Sequence, residues 1–113
     1  MRTPLRHEIL NHVFLAIRLV QKILVVVARR DADLARQIRR AMNGVSLNVS
    51  EGFGTQAGNA RVRFESARGS LYETEAGIQA ACAWGHVSDA DVAEALRELE
   101  SLGARIYGLS KSH

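Results

Sequence analysis

The chain of 113 residues is predicted to be all-α, an antiparallel up-down-up-down four-helix bundle with helices over about residues 7–29, 32–51, 59–85 and 89–110. Three observations predict it. Apolar residues recur every three or four positions in four successive stretches, which is the spacing of one helical face. The single proline, Pro4, precedes those stretches, so nothing interrupts them where many short strands would need turns. The breaks between stretches are short and carry Asp, Gly or Ser, the residues that start and stop helices.

In the first stretch the stripe is Ile9, Val13, Ile17, Val20, Leu24 and Val27. A second set, Leu10, Phe14, Leu15, Leu19, Ile23 and Val26, covers much of what should be the solvent side. A wide bundle stripe and coverage by another subunit both account for this; the size of the patch favours the subunit. Asp31 or Asp33 can cap the second helix, whose stripe is Leu34, Ile38, Met42, Val45 and Val49. Gly52 and Gly54 are expected to end it, because glycine adopts positive φ without steric cost. Residues 52–58 then form a connection short enough for an antiparallel neighbour.

The third helix carries Phe64, Ala67, Leu71, Ile78, Ala81 and Cys82, interrupted by Gly69, Ser70 and Gly77. Glycine inside a helix costs about 1 kcal/mol against alanine, so these small residues predict close approach of another helix. Gly85 ends the segment, and Ser88 with Asp89 and Asp91 caps the fourth helix. There Val92, Ala95, Leu99, Leu102, Ile106 and Leu109 make a coiled-coil-like seam. No linker or repeat is left over, so the chain is expected to be one domain.

The net charge of +3 conceals a division. Residues 1–68 hold 12 basic and 5 acidic side chains, while residues 69–113 hold 3 and 7. Antiparallel pairing places Arg36, Gln37 and Arg40 opposite Glu73 and Glu75, and Arg18 and Lys22 at the level of Glu94, Glu98 and Glu100. The two halves are therefore expected to neutralise one another, through pairs worth about 0 to 1 kcal/mol each.

Chemistry is sparsely marked. The histidines, His7, His12, His86 and His113, lack the i, i+4 spacing of a zinc site, and the one cysteine, Cys82, offers neither a cluster nor an internal disulfide. Inward-facing Glu-x-x-His pairs of a di-iron bundle are missing: Asn11 follows Glu8 and Ala76 follows Glu73. Gly52-Phe53-Gly54 superficially resembles a phosphate loop but follows a helix and lacks the Gly-Lys-Ser/Thr ending. No enzyme activity and no cofactor are expected. The cytoplasm is the expected compartment, and no membrane is expected as a partner, since Arg18, Gln21 and Lys22 interrupt the apolar run from Val13 to Ala28.

Nucleic acid is the more plausible partner. Of the 15 basic residues 13 are arginine, whose planar fork bonds phosphate bidentately. Arg29, Arg30, Arg36, Arg39, Arg40, Arg61, Arg63 and Arg68 are the candidate contacts. A GC-rich coding sequence produces the same Arg-over-Lys usage, and aromatic stacking platforms are not evident, so contacts to backbone or duplex shape are expected.

Around the second and third helices the sequence resembles a known family. The residues are Gln37-Ile38-Arg39-Arg40-Ala41, Ser46-Leu47-Asn48-Val49-Ser50-Glu51-Gly52-Phe53-Gly54, Phe64, and Ala67-Arg68-Gly69-Ser70-Leu71-Tyr72-Glu73-Thr74-Glu75. They resemble the four-helix bundle family that includes proteins encoded in intervening sequences of bacterial large-subunit ribosomal RNA genes and the accessory variability determinant of diversity-generating retroelements. The resemblance implies a ring-like homopentamer without known enzymatic activity. In the retroelement branch it implies a basic ring that binds RNA or DNA and associates with a reverse transcriptase. Family members often carry a basic residue after the Gly-x-Gly, where this chain has Thr55-Gln56, a weaker phosphate contact. The resemblance also implies structural roles for Asn48, bonding across to the third helix, and for Glu51, fixing the turn or an arginine such as Arg61 or Arg63.

Overall fold

The computed structural model describes residues 3–112. Helix α1 runs Thr3–Arg30, α2 Ala32–Phe53, α3 Ala57–Ala83 and α4 Asp89–Lys111, with no strand among the described residues. Each helix packs on its chain neighbours and α1 closes against α4, so the four-helix bundle predicted from the sequence is the observed fold. Its extents are 44 × 21 × 17 Å.

Each connection has a local cause. Asp31 alone separates α1 from α2: its amide bonds Val27 O at 2.7 Å, and its carboxylate accepts from the Leu34 amide at 3.0 Å. One residue thus ends one helix and caps the next. At the far end of α3, Gly85 adopts φ +81. The His86 amide bonds Ala81 O and the Gly85 amide bonds Cys82 O, each at 2.9 Å, which is the Schellman arrangement. Ser88 and Asp91 then form a reciprocal capping box on α4.

The predicted turn glycines behave differently. Gly54 closes α2 with φ −93 rather than a positive angle. Gly52 lies inside the helix and is buried, because the Phe64 ring occupies the space its Cβ would need. Helix α3 starts at Ala57, earlier than expected, since the Gln56 carbonyl accepts from both Asn59 and Ala60.

The core is the union of the four stripes. Val13, Val27, Val45, Val49, Phe64, Ile78, Leu99, Leu102 and Ile106 are fully buried. Ala16 and Ile23 join it from α1, which corrects the placement of Ile23 on the outer set. Phe14, Leu15, Val25 and Val26 remain exposed on α1. By length and composition alone, Arg6–Arg30 is long and apolar enough to cross a membrane despite Arg18 and Lys22. A core helix passes the same test, and one face of α1 is core.

Close approach is concentrated between α2 and α3. A Cβ on Gly77 would lie 2.6 Å from Ile38 Cγ1, and one on Gly44 would lie 2.6 Å from Ser70 Oγ. Gly69 is the exception: it is exposed and a Cβ there meets nothing within 4 Å, so the small-residue expectation fails at that position. Gly52→Ala is expected to destabilise the protein by about 1 to 3 kcal/mol through overpacking against Phe64. Gly69→Ala is expected to stabilise the isolated subunit by up to about 1 kcal/mol through helix propensity. Urea unfolding of both variants checks the pair of opposite signs.

The Asp31 carboxyl is held below its ordinary value, chiefly by the Leu34 amide; burial opposes this, and His86, with Nε2 at 3.3 Å, adds to it. A depressed folded value means that the contribution is present above about pH 3.9 and lost as pH falls through the folded value. Asp31→Ala should therefore lower the melting temperature at neutral pH. The difference from the unsubstituted protein should shrink towards pH 2, as read by circular dichroism.

Candidate nucleic-acid interface

The eight candidate arginines do not form one surface. Arg29 and Arg30 end α1, and Arg36, Arg39 and Arg40 lie in the first turns of α2, so these five share one half of the bundle. Arg61, Arg63 and Arg68 lie in the first half of α3, which starts at the opposite end. The antiparallel turn that brings α2 beside α3 is what separates them.

Their partners differ as well. Arg36 pairs with Asp33 at 2.5 Å within its own helix, and Arg61 with Glu65 at 3.4 Å. Arg63 reaches across to Glu51 at 3.5 Å, the interhelical role anticipated for Glu51. The Arg68 guanidinium lies 4.6 Å from the Tyr107 ring centre and donates to the Tyr72 hydroxyl at 2.9 Å. Arg29, Arg30, Arg39 and Arg40 have no carboxylate within 4 Å among the described residues.

Trp84 was not anticipated as part of this surface. It is 73% exposed at the C-terminus of α3, and the His86–Asp31 contact ties that terminus to the α1–α2 turn. Trp84 therefore offers a flat ring at the same end as Arg29 and Arg30. The available signal was its position directly before Gly85, off the Ala81–Cys82 stripe.

The expected neutralisation between halves of the chain is corrected too. Arg40 and Glu73 line one α2–α3 groove with Gln37 but form no ion pair within 4 Å. Glu98 bonds His12 Nδ1 at 3.0 Å rather than Arg18 or Lys22. Glu75 faces Glu100, and its carboxyl is pushed up by burial and then by that like charge. The reason is rotational: matching height along antiparallel helices does not make side chains face one another.

The motif residues have mostly packing roles. Asn48 donates to Gly44 O at 2.9 Å within its own helix, not across to α3 as anticipated. Phe53 meets Phe64 edge-on at 5.3 Å, so the Gly52-Phe53-Gly54 segment forms a packed helix end. Ser70 packs at Gly44, and Glu73 is exposed.

Within the core, the buried polar side chains Thr74 and Ser110 bond backbone carbonyls of their own helices at 2.9 and 2.8 Å. Among the described residues no buried side-chain polar atom lacks a partner. No three His, Cys, Asp or Glu residues come together there as metal ligands, and His113 lies outside the described residues. Burial, followed by Asp89 and Asp91, pushes the Cys82 thiol up and keeps it protonated near neutral pH.

The pattern of a known family runs through this architecture: that of the 23S rRNA-intervening sequence protein matches residues 10–108. The chain belongs to that family. No curated protein sequence matches it. The match covers all four helices, including the α1–α2 turn and the motif at the α2–α3 junction. The 23S rRNA-intervening sequence proteins are not known as an enzyme family, and their description is compatible with an RNA-related role.

In this member the Glu51–Arg63 contact is half exposed on both sides. Exposed pairs are worth about 0 to 1 kcal/mol. Glu51→Gln should accordingly change the unfolding free energy by less than about 1 kcal/mol. A larger loss in denaturant titrations would mean that Glu51 does more than hold Arg63.

Proposed function

We propose that this 23S rRNA-intervening sequence protein is a non-enzymatic, cytoplasmic, self-associating bundle that binds structured nucleic acid through the half of the molecule holding the α1–α2 turn. The observation that carries the reading is the set Arg29, Arg30, Arg39 and Arg40, without a carboxylate within 4 Å among the described residues and on the half where Trp84 is exposed. Guanidinium groups free of carboxylates keep their full attraction for phosphate, and arginine can bind it bidentately. An exposed indole adds a face on which an unpaired base can stack.

The family description supports RNA as the nucleic acid. The sequence resemblance supports a homopentamer, in which five copies of the arginine set multiply a modest charge per subunit. It also supports a reverse transcriptase or another nucleic-acid enzyme as a further partner. A second reading, a protein-interaction module without nucleic acid, is favoured by the exposed α1 side chains Phe14, Leu15, Val25 and Val26.

Salt separates the two readings. Phosphate contacts release counterions, so binding to a structured RNA should weaken steeply between about 50 and 200 mM salt. Replacing Arg29, Arg30, Arg39 and Arg40 by glutamine should reduce the slope of log affinity against log salt by roughly 3 to 4. Trp84→Ala should weaken RNAs with unpaired loops by about 1 to 3 kcal/mol while sparing blunt duplexes. Filter binding checks both, and no binding by the unsubstituted protein to RNA or duplex DNA leaves the protein-interaction reading.

A further inference from the structure

Two faces of the bundle are left unsatisfied, and they complement each other. On α1, Phe14 and Val25 are 44% and 45% exposed, and Leu15 and Val26 are also exposed. Arg18 and Lys22 stand among them, both exposed and without a carboxylate within 4 Å among the described residues. This is an apolar surface with two positive charges outside any ion pair among the described residues, Lys22 sharing a groove with Asp91 at its α4 edge.

The second face is the groove between α3 and α4, a space of about 380 Å³. Its rim carries Tyr72, Tyr107, Glu75 and Glu100. The two rings are 56% and 45% exposed. Glu75 and Glu100 repel one another, and neither has a cation within 4 Å among the described residues. Arg68 and Lys111 both lie over Tyr107 and Arg68 bonds Tyr72, so the cations of this face sit on the rings and form no ion pair with Glu75 or Glu100. A cation brought between them would relieve the repulsion, and the exposed parts of the tyrosine rings offer apolar contact beside it.

We infer that a second copy of this chain docks its α1 face, through Arg18, Lys22 and the apolar side chains around them, on the α3–α4 groove at Glu75, Glu100, Tyr72 and Tyr107. The inference rests on the self-association proposed above and specifies its contact. The contact is head-to-tail because the two faces differ. Repeated by every copy, it closes into a ring when the rotation between neighbours divides a full turn. It gives the exposed apolar side chains of α1 a cover and supplies the acidic pair with the charge it lacks.

Charge reversal and swap test the contact, with native mass spectrometry and light scattering reading the assembly and circular dichroism verifying the fold. Arg18→Glu with Lys22→Glu places like charges across the interface, as does Glu75→Lys with Glu100→Lys. Each pair should raise the concentration at which the assembly dissociates by at least about a hundredfold. All four substitutions in one chain restore opposite charges and should restore assembly. The neutral pair Glu75→Gln with Glu100→Gln should weaken assembly less than the reversal does, and it keeps the test open should the lysine variant not fold. A monomeric unsubstituted protein would overturn self-association together with this contact. An assembly that tolerates either reversal, or a folded four-site swap that stays dissociated, would overturn the contact alone.

Discussion

The antiparallel seam between α2 and α3 is the constraint on which the other arrangements rest. Along it a small residue on one helix meets a larger group on the other: Gly44 at Ser70, Gly52 at Phe64 and Gly77 at Ile38. Each meeting fixes both separation and register, because a one-residue slip would drive a Cβ into an occupied space. The seam settles which carboxylates can approach which arginines, as at Glu51 and Arg63. Thr74 and Ser110 are satisfied locally and leave the remaining core free to close by apolar packing.

Charge follows from that geometry. The basic first part and acidic last part of the chain share the bundle, yet their interhelical contacts include two histidine–carboxylate pairs, His12–Glu98 and His86–Asp31. Much of the arginine therefore faces outwards, and α3 and α4 keep two carboxylates that face each other. The molecule presents one surface suited to phosphate and a pair of surfaces suited to one another. The proposed nucleic-acid contact and the proposed self-association thus draw on different residues: Arg29, Arg30, Arg39 and Arg40 for the first, Arg18 and Lys22 for the second.

The fold was legible because helical periodicity is a local property. The seam of α4, Val92 to Leu109, and the stripe of α2, Ile38 to Val49, are buried as their spacing requires. Caps were legible for the same reason, since Asp31 and Ser88 bond amides three residues away. Glycine was harder to read. Gly52 looked like a stop and is a packing position, and Gly69 looked like a packing position and is open. A glycine's role depends on what faces its missing Cβ, which the local sequence does not specify.

By itself, then, the sequence determined four helices, their order, most of their buried faces and membership of a family recognisable from the α2–α3 junction. Only the tertiary structure decided which charges meet. It divided eight arginines between two regions, gave Glu98 to His12, set Glu75 against Glu100 and placed Trp84 on the same half as Arg29 and Arg30. The physical reason is range. Hydrogen bonds and apolar periodicity within a helix act over three or four residues, whereas a charge finds its partner through the rotation and height of a neighbouring helix, which the packing of the whole bundle sets.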